Sequence, residues 1–432
     1  MKLNWFSPVP PERTDVANYT ARLASELMLQ FDVTFWTSGE YSPDGLPPGA
    51  QLRRFKTGEV SGDDRRAILG GLCVFNIGND ARFHADIFQL GQRQPGICIL
   101  HDTRIHHFVF ERSRHDMPAW AGYMSTARRL YGKAGEDSAR AIVESHGALI
   151  DEHAEEMPFL EAVTENALGV ICHSQQATAE VRRRSAVPTL TLPLPFPCPA
   201  LSDPDTRRWA PPWQFVIFGF LNPNRRLESI LRALVHLREE IDFRLSVVGA
   251  LWDQGLIERL VVELGLSDRV VLRGFVSDAE LDAEIAGAHL AFNLRHPTMG
   301  EASGALLRAW AHATPVMVTD AGWYAQLSDA LAVKVSVEHE VEDIVRTVRS
   351  LAADGTRLCD MGRNGRMRLA ADHSPQAYAK DFANALQDLG LLSRRAAAQV
   401  MLARAAERGG PELLLERATE VISNLFDADC TR

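Results

Sequence analysis

The chain has 432 residues, of which 46% are hydrophobic and 24% are charged, and its formal net charge is −10. This length predicts two to three domains of ordinary globular composition. The acidic excess argues against a nucleic-acid-binding protein, because such proteins neutralise phosphates with lysine and arginine. No run of about 18 apolar residues is present, so we expect no membrane-spanning helix and a cytoplasmic location. The six cysteines form no C-x-x-C pair, which predicts reduced thiols and no metal site.

The first part of the chain alternates short apolar runs with a helical pattern. Strands are predicted at 3–6, 32–36, 72–77, 96–100 and 167–172, with a helix over 17–30. This alternation is typical of a parallel sheet with helical crossovers. Residues 103–165 interrupt it with a mostly helical pattern, which we interpret as a helical insertion over the sheet. We therefore expect residues 1–195 to form a Rossmann-like lobe.

A proline-rich stretch marks the boundary of this lobe. Residues 193–213 contain seven prolines, a density that no helix or central strand tolerates, and we assign 196–213 as a linker. The strand–helix rhythm restarts directly after it. Strands are predicted at 214–218, 244–248, 270–273, 290–294 and 315–319.

These strands predict a second Rossmann-like lobe over 214–372, followed by a closing helix over 373–392 and a helical tail over 393–432. The predicted fold class is α/β, with two lobes facing across a cleft. Ligands of open α/β sheets bind beyond the carboxyl ends of the strands, so we expect the site at those ends.

The first candidate segment follows the first strand of the second lobe. Gly219 would let the backbone turn away from the sheet, and Asn222 or Asn224 would cap the next helix. Exposed amide groups together with Arg225 and Arg226 would suit a diphosphate. An ordinary strand-to-helix turn with solvated arginines explains the same residues, and both interpretations stay open.

The second candidate segment is NLRHPTMGEASG, over residues 293–304. A strand is predicted to end near Arg295, and a helix to begin near Ser303 or Gly304. Small residues at a helix start let a phosphate approach the amide groups and the positive end of the helix dipole. Glu301 would contact sugar hydroxyls, because a carboxylate beside an anion site is otherwise unfavourable. The alternative is a glutamate that only stabilises the helix dipole.

Two segments of the first lobe carry further candidates. His101 follows a predicted strand and could orient or polarise a substrate hydroxyl, with Asp102 and Arg104 beside it in the chain. The loop after the first strand enters a helix near Asp15 and Asn18, on the side where we expect the acceptor. Capping and packing explain these residues equally well.

Taken together, these segments resemble retaining glycosyltransferases of family 4, which have the GT-B fold, over residues 1 to about 390. The similarity is carried by FSPVPP in the first-lobe loop, His101-Asp102, His173-Ser174, GFLNPNRR and above all GEASGALLRAWAHATPVMVTDAG. That last segment is similar to the family signature E-G-F-G…E-A-x-A-x-G-T-P-V-V.

Two positions depart from the signature. When Thr314 and Pro315 are aligned with it, Gly300 and Arg308 stand where the family has its paired glutamates. We take Glu301, one residue later, as the substitute for the first glutamate. The second usually accepts hydrogen bonds from the ribose hydroxyls, which an arginine cannot do. Arg308 then serves either phosphate binding or the structure.

The resemblance implies a transferase that moves a sugar from a nucleotide-sugar, of the UDP- or GDP-sugar class, to a hydroxyl acceptor with retention of anomeric configuration. It implies neither a metal ion nor a cofactor. Gly249, Phe275 and Val276 would lie at the base, while Glu301 and His101 would hold hydroxyls of the donor sugar. The acceptor could be a glycan, a lipid-linked molecule or a small metabolite.

Other functions fit the same fold. A non-catalytic GT-B protein would act as a partner or scaffold, a sugar-nucleotide epimerase would need no acceptor, and a glycan phosphorylase would use free phosphate. The tail over 393–432 would suit a homo-oligomer contact. A lipid-linked acceptor would bring the protein to the inner face of a membrane as a peripheral protein, although no basic amphipathic helix is evident in the sequence.

Overall fold

The computed structural model describes residues 1–39, 41–42, 45–115, 117–200 and 209–388. These residues fall into two compact units. One unit comprises Met1–Leu192 and the described residues from Ala379 onward, and the other comprises Pro193–Tyr378. The predicted tail over 393–432 lies outside the described residues, as does the middle of the predicted linker, 201–208.

The first unit is built on a parallel sheet. Its described strands are β1 (Lys2–Phe6), β2 (Asp32–Thr37), β3 (Gln51–Arg54), β4 (Leu72–Ile77), β5 (Gly96–Leu100), β6 (Ala167–Cys172) and β7 (Thr189–Thr191). They pair in the order β3-β2-β1-β4-β5-β6-β7, always in parallel. A strand that is covered on both faces is apolar along its length, and β5 is accordingly buried at every position. The order reverses between β1 and β4, so the switch point lies at their carboxyl ends.

Helices cover this sheet. They are α1 (Asp15–Gln30), α2 (Gly62–Leu69), α3 (Ala81–Gly91), α4 (His106–Arg112), α5 (Met117–Glu144), α6 (Ile150–His153), α7 (Leu160–Thr164) and α8 (Gln175–Arg184). The side chain of Thr14 caps α1 by accepting a hydrogen bond from the amide of Val16, and Ser174 caps α8 in a similar way. The run from α4 to α7 is the helical insertion that the sequence predicts.

The insertion has an aromatic core. The rings of Tyr123 and Phe159 stack with 5.6 Å between centroids, and the Tyr123 hydroxyl lies 2.7 Å from Nε2 of His106. Burial lowers the pKa of His106 to about 3, so its ring is neutral at neutral pH. Because aromatic rings bury large areas in specific geometries, the insertion is a packed layer rather than a loose excursion of the chain.

A second parallel sheet forms the core of the other unit. Its described strands are β8 (Trp213–Phe218), β9 (Phe243–Val248), β10 (Val270–Gly274), β11 (Leu290–Asn293), β12 (Val316–Thr319) and β13 (Val333–Val335). They pair in the order β10-β9-β8-β11-β12-β13, again in parallel. The order reverses between β8 and β11, which puts a second switch point at the ends of those two strands.

The helices of the second unit are α9 (Leu227–Leu237), α10 (Gln254–Glu263), α11 (Asp278–Gly287), α12 (Gly304–Ala311), α13 (Glu340–Ala353) and α14 (Gly355–Asp372). Polar side chains start three of them. Asp253 caps α10, Ser277 caps α11 and Ser303 caps α12, each by accepting a hydrogen bond from a first-turn amide. These caps fix where the loops after β9, β10 and β11 end.

Residues 375–388 form a further helix, which from Ala379 onward belongs to the first unit. The buried ring of Phe382 meets Trp5 edge-on with 5.7 Å between centroids, and Phe31 at 6.0 Å. The chain thus returns to the first sheet after it has completed the second unit. Among the described residues, no helix has both the length and the apolar character needed to cross a membrane.

Candidate functional site

Three glycines with positive φ stand at the carboxyl edge of the second sheet. Gly219, Gly249 and Gly274 have φ of 108°, 129° and 63° at the ends of β8, β9 and β10. The Gly219 amide donates to the carbonyl of Val248 at 2.9 Å, and the Gly249 amide donates to the carbonyl of Gly274 at 2.7 Å. A Cβ at position 249 would overlap the carbonyl oxygen of Gly219. The three strand ends therefore form one close-packed edge of bare backbone.

Exposed aromatic rings follow these glycines. Phe220 is 46% exposed, Trp252 is 46% exposed and Phe275 is 61% exposed. Among the described residues only four aromatic side chains are this exposed, the fourth being Tyr41 in the first unit. Val276, the partner of Phe275 in the sequence prediction, is half-buried. An edge of this kind offers ring surfaces on which planar or cyclic ligands can stack.

The turn after β8 differs from the prediction. Residues 223–225 form a short 3-10 turn, and α9 starts after Arg226, which has φ of 60°. Within the described residues neither Asn222 nor Arg226 caps a helix with its side chain, so the predicted capping by Asn222 or Asn224 is wrong. Asn224 instead accepts, through its carbonyl, a hydrogen bond of 2.8 Å from the amide of His296. The loops after β8 and β11 are tied together in this way.

Arg225 is buried, with 4% of its surface exposed. Its guanidinium donates to the carbonyl of Phe218 at 3.3 Å and to Oδ1 of Asn293 at 2.8 Å. Arg226 donates through Nε to Glu340 at 2.8 Å, at the start of α13. The sequence left two interpretations open, arginines that bind a diphosphate or solvated arginines in an ordinary turn. Solvation is wrong for Arg225, whose buried guanidinium hydrogen-bonds to the turn and to β11.

Asn293, at the end of β11, connects the surrounding loops. It is 2% exposed, and its amide nitrogen donates to Oγ of Ser303 at 3.0 Å and to the Tyr324 hydroxyl at 3.1 Å. Ser303 in turn caps α12 by accepting from the amide of Leu306 at 3.1 Å. Sequence reasoning missed Asn293 and Tyr324, although a polar residue that ends the apolar run LAFN was a signal for the first.

The start of α12 has an open backbone. Gly304 is its first residue, and a Cβ built there would meet no atom of the described chain within 4 Å. The space beside Gly304 is therefore open, at a helix start whose dipole carries the positive end that favours an anion. Ser303 caps the helix and Gly304 begins it, which confirms the predicted position of this helix start.

Glu301 is held by its own loop. One carboxylate oxygen pairs with the guanidinium of Arg295, and the other accepts from the Thr298 hydroxyl at 3.0 Å and the Met299 amide at 2.7 Å. Burial on its own would raise the pKa of this carboxyl, but the charge of Arg295 and these hydrogen bonds bring it below the ordinary value. Glu301 is therefore ionised at neutral pH. A carboxylate has about four acceptor positions, so it can still accept from a ligand hydroxyl.

Arg308 ties two helices together. On α12 it donates through Nε to Asp282 at 2.8 Å and pairs with Asp278 at 2.9 Å, both carboxylates on α11. His312 also lies 3.1 Å from Asp282. Of the two roles that the sequence left open for Arg308, the structural one agrees with these contacts.

At the carboxyl edge of the first sheet, His101 lies among ring side chains. Its Nε2 is 3.1 Å from Oδ1 of Asn76, and its ring centroid is 4.8 Å from Tyr19 and 5.1 Å from His173. Burial, followed by the proximity of His173 and His84, holds the pKa of His101 well below its usual value. His101 is therefore a neutral ring that can take part in hydrogen bonds but carries no charge at neutral pH.

The other first-unit candidates have different surroundings. Asp102 accepts at Oδ2 a hydrogen bond of 2.8 Å from the amide of Asn79. Arg104 pairs with Glu155 at 3.1 Å, which directs it towards the helical insertion. Of these, Asp102 helps to shape the loop after β4, while Arg104 fastens the loop after β5.

Asp15 and Asn18 are exposed on the first turns of α1. Tyr19, the residue after Asn18, packs against His101. The start of α1 therefore lies beside His101. Among the described residues, no group of three or more histidine, cysteine, aspartate or glutamate side chains is arranged to hold a metal ion.

Part of the second unit matches a known protein family. Residues 213–354 match the family model "Glycosyl transferases group 1". The chain is also 30% identical, over 160 residues, to MMP alpha-(1->4)-mannosyltransferase of Mycolicibacterium hassiacum. That alignment spans 36% of this chain and 38% of the mannosyltransferase, which is well under half of each.

Solved structures are similar over most of the chain. Sucrose-phosphate synthase from Thermosynechococcus elongatus is 17% identical, with 90% of this chain and 99% of that chain covered and a TM-score of 0.62. Anabaena HepE, in complex with UDP-glucose, is 14% identical, with 90% and 100% covered and a TM-score of 0.62. At such low identity the likeness shows the fold. The fold is GT-B, with two Rossmann-like units, as the resemblance predicts.

Proposed function

We propose that the chain is a glycosyltransferase that moves a sugar from a nucleotide-sugar to a hydroxyl acceptor with retention of anomeric configuration. The family match over 213–354 and the similarity to a mannosyltransferase support this reaction class. The similarity to HepE, whose structure holds UDP-glucose, supports a donor of the UDP- or GDP-sugar class. The observation that carries the proposal is the bare backbone edge at Gly219, Gly249 and Gly274, next to the open start of α12.

The donor nucleotide would lie along this edge. The strand order β10-β9-β8-β11 leads from the exposed rings of Phe275 and Trp252 to the loop that enters α12. A base is planar and stacks on aromatic rings, whereas a diphosphate is an anion and binds the amides of a helix start. The order along the edge, from aromatic rings to helix start, thus matches the order of base and diphosphate in a nucleotide-sugar.

The backbone would carry most of the diphosphate recognition. Arg225 and Arg226 are engaged by Asn293 and Glu340. At the start of α12 the space beside Gly304 is open, and the positive end of the helix dipole would attract the phosphates there. The proposal therefore assigns the phosphates to amide groups rather than to a metal ion, and assigns Arg225 to the support of the turn.

Retention requires that the acceptor attacks the face of the sugar from which the nucleotide leaves. The bond between the anomeric carbon and the diphosphate oxygen breaks, a bond to the acceptor oxygen forms, and the acceptor proton passes to the leaving diphosphate. Ionised Glu301 and neutral His101 would each accept a hydrogen bond from a sugar hydroxyl and so orient the ring. By holding the sugar ring in one orientation, both residues would lower the entropic part of the activation barrier of transfer.

A thermal-shift series tests the donor site. UDP, GDP, UDP-glucose and GDP-mannose are compared at equal concentrations, once with magnesium and once with EDTA. A ligand that binds only the folded state raises Tm by mass action. We expect one nucleotide series to raise Tm to the same extent with magnesium and with EDTA. Release of the matching nucleoside diphosphate in the presence of hydroxyl acceptors then measures transfer.

One observation favours a second candidate, a non-catalytic protein of the same fold. Arg225, Arg226 and Arg308 are all engaged by side chains of the chain itself. Such a protein would bind nucleotides weakly or not at all. A folded sample whose Tm moves with none of the four ligands would replace the transferase proposal by this candidate.

A further inference from the structure

Asn76 links three parts of the first unit. It is fully buried at the end of β4, and its side-chain nitrogen donates to the carbonyl of Phe6 at 3.1 Å. Its backbone carbonyl lies 3.0 Å from Nδ1 of His84, and its side-chain Oδ1 lies 3.1 Å from Nε2 of His101. No sequence pattern singled out this asparagine, yet it makes the hydrogen bond that fixes the candidate histidine.

The orientation of the Asn76 amide follows from its partners. The carbonyl of Phe6 only accepts hydrogen bonds, so the NH₂ group of Asn76 must face it. Oδ1 must then face His101, and this oxygen also only accepts. The hydrogen between Asn76 and His101 therefore belongs to Nε2 of the histidine. A flipped amide would leave two acceptors opposite each other at Phe6.

A neutral imidazole carries one hydrogen, so Nδ1 of His101 has the lone pair. In the part of the chain that the structure describes, no hydrogen bond to this nitrogen is found, and the residue is half-buried rather than buried. His101 therefore has one ring atom to offer to a ligand, and that atom is an acceptor.

The surroundings oppose a second proton on this ring. Tyr19 of α1 meets it edge-on, and His173, after β6, lies against it. His84 of α3 is buried, and its pKa is lowered to about 4, chiefly by desolvation. The neighbouring carboxylate, Asp102, accepts from the amide of Asn79. In this partly desolvated place next to two other histidines, the imidazolium form of His101 is disfavoured.

We propose that Asn76 is a positioning residue that keeps His101 in the Nε2–H tautomer, so that Nδ1 meets the ligand as a hydrogen-bond acceptor. The chemical class that this atom recognises is a hydroxyl group, as on a sugar or another polyol, and not a phosphate oxygen, which also only accepts. This inference rests on the proposed function, because it places a sugar hydroxyl rather than the diphosphate at this edge of the first unit.

The tautomer can be measured on the full chain without any substrate. Nitrogen-15 spectra of the histidine rings, assigned to His101 by comparison with His101→Gln, distinguish a protonated Nε2 from a protonated Nδ1. We expect protonated Nε2, a lone pair on Nδ1, and no titration of His101 at the pH where an ordinary histidine titrates. A protonated Nδ1, or a titration midpoint near the ordinary histidine value, would overturn the inference whether or not the protein transfers sugars.

A pair of charge variants tests the part played by Asn76. In Asn76→Asp a carboxylate faces Nε2 and stabilises the imidazolium, so the His101 midpoint should rise by about one unit or more. If transfer is measurable, the acid limb of its pH profile should move up with that midpoint, because protonated Nδ1 no longer accepts. Asn79→Asp is the matched control, since its side chain accepts from the Phe108 amide at 2.9 Å instead of touching His101.

Asn76→Ala covers the case in which Asn76→Asp fails to fold. Without the amide, His101 should populate both tautomers in the nitrogen-15 spectrum, and the KM of a sugar donor should rise more than kcat falls. An unchanged tautomer in Asn76→Ala would show that Asn76 does not position the ring. Correct tautomers together with no sugar transfer by the unmodified chain would reject the proposed function and leave the role of Asn76 standing.

Discussion

The carboxyl edges of the two sheets differ in the groups that form them. In the first unit the edge consists of side chains in mutual contact, with Asn76, His101, His173 and Tyr19 at its centre. In the second unit the edge consists mainly of glycine backbone. The charged side chains beside it form ion pairs, Arg295 with Glu301 and Arg226 with Glu340. The difference shows that the same fold can end its strands in contacting polar and aromatic side chains at one switch point and in glycine backbone at the other.

If the second edge depends on bare backbone, the largest effect should come from adding one methyl group to it. Gly249→Ala places a Cβ on the Gly219 carbonyl at a φ that disfavours L residues. We expect the free energy of unfolding to fall by about 3 kcal/mol or more. Urea denaturation measures it, with Gly287→Ala as the control, because a Cβ there meets nothing within 4 Å in the described chain. Equal stability of both variants would contradict the close-packed edge.

The next effect concerns Arg225, whose buried guanidinium lies next to the ends of β8 and β11 in the second sheet. Arg225→Met leaves Oδ1 of Asn293 and the carbonyl of Phe218 without this donor. We expect a loss of about 2–4 kcal/mol in the free energy of unfolding. Arg232→Met, on an exposed position of α9, is the control and should change little. If Arg225→Met keeps its stability but loses nucleotide affinity, the original interpretation of Arg225 as a diphosphate ligand is right.

The ionised carboxylate of Glu301 should make the free energy of unfolding depend on pH. Its pKa is lowered in the folded chain, so its stabilising contribution is present above the unfolded value and is lost as the pH falls below it. We expect the free energy of unfolding to decline from about pH 5 downwards, and Glu301→Gln to decline less. Denaturation at several pH values measures this, with the exposed Glu239→Gln as the control. Identical pH dependence in all three proteins would mean that Arg295 does not hold the carboxylate.

The smallest effect is expected at the exposed aromatic rings that follow the strand ends of the second sheet, Phe220, Trp252 and Phe275. Phe275→Ala removes an exposed ring, so stability should change little, while nucleotide affinity should fall by roughly tenfold if a base stacks there. Calorimetric titration with the nucleotide found by thermal shift measures it. Met367→Ala, also exposed, serves as the control. Undiminished affinity would place the base elsewhere on the edge.

The sequence predicts the fold well because the signals for it are local. Apolar runs give β1, β2, β4, β5 and β6, and the helical pattern of 103–165 corresponds to α4 to α7. β3, β7 and β13 were not predicted, since these strands of three or four residues give no distinct apolar run. The open start of α12 is also a local feature, carried by Ser303 and Gly304.

The partners of the charged residues could not be predicted, because they come from distant parts of the chain. Arg225 meets Asn293, which is 68 positions away, and Arg226 meets Glu340, which is 114 positions away. Single-sequence reasoning treats an arginine in a turn as solvated, whereas burial is decided by the tertiary structure. Asn76 was missed for the same reason, since only the sheet brings it next to His101.

The return of the chain to its first sheet has a consequence for synthesis. The second unit is one uninterrupted segment, Pro193–Tyr378, while the first needs residues from both sides of it. Domains emerging from the ribosome usually fold in the order of their synthesis, yet here Phe382 must be made before Trp5 and Phe31 are covered. The unit that is translated first is thus completed last, and a chain cut short after the second unit would leave that aromatic face of the first unit bare.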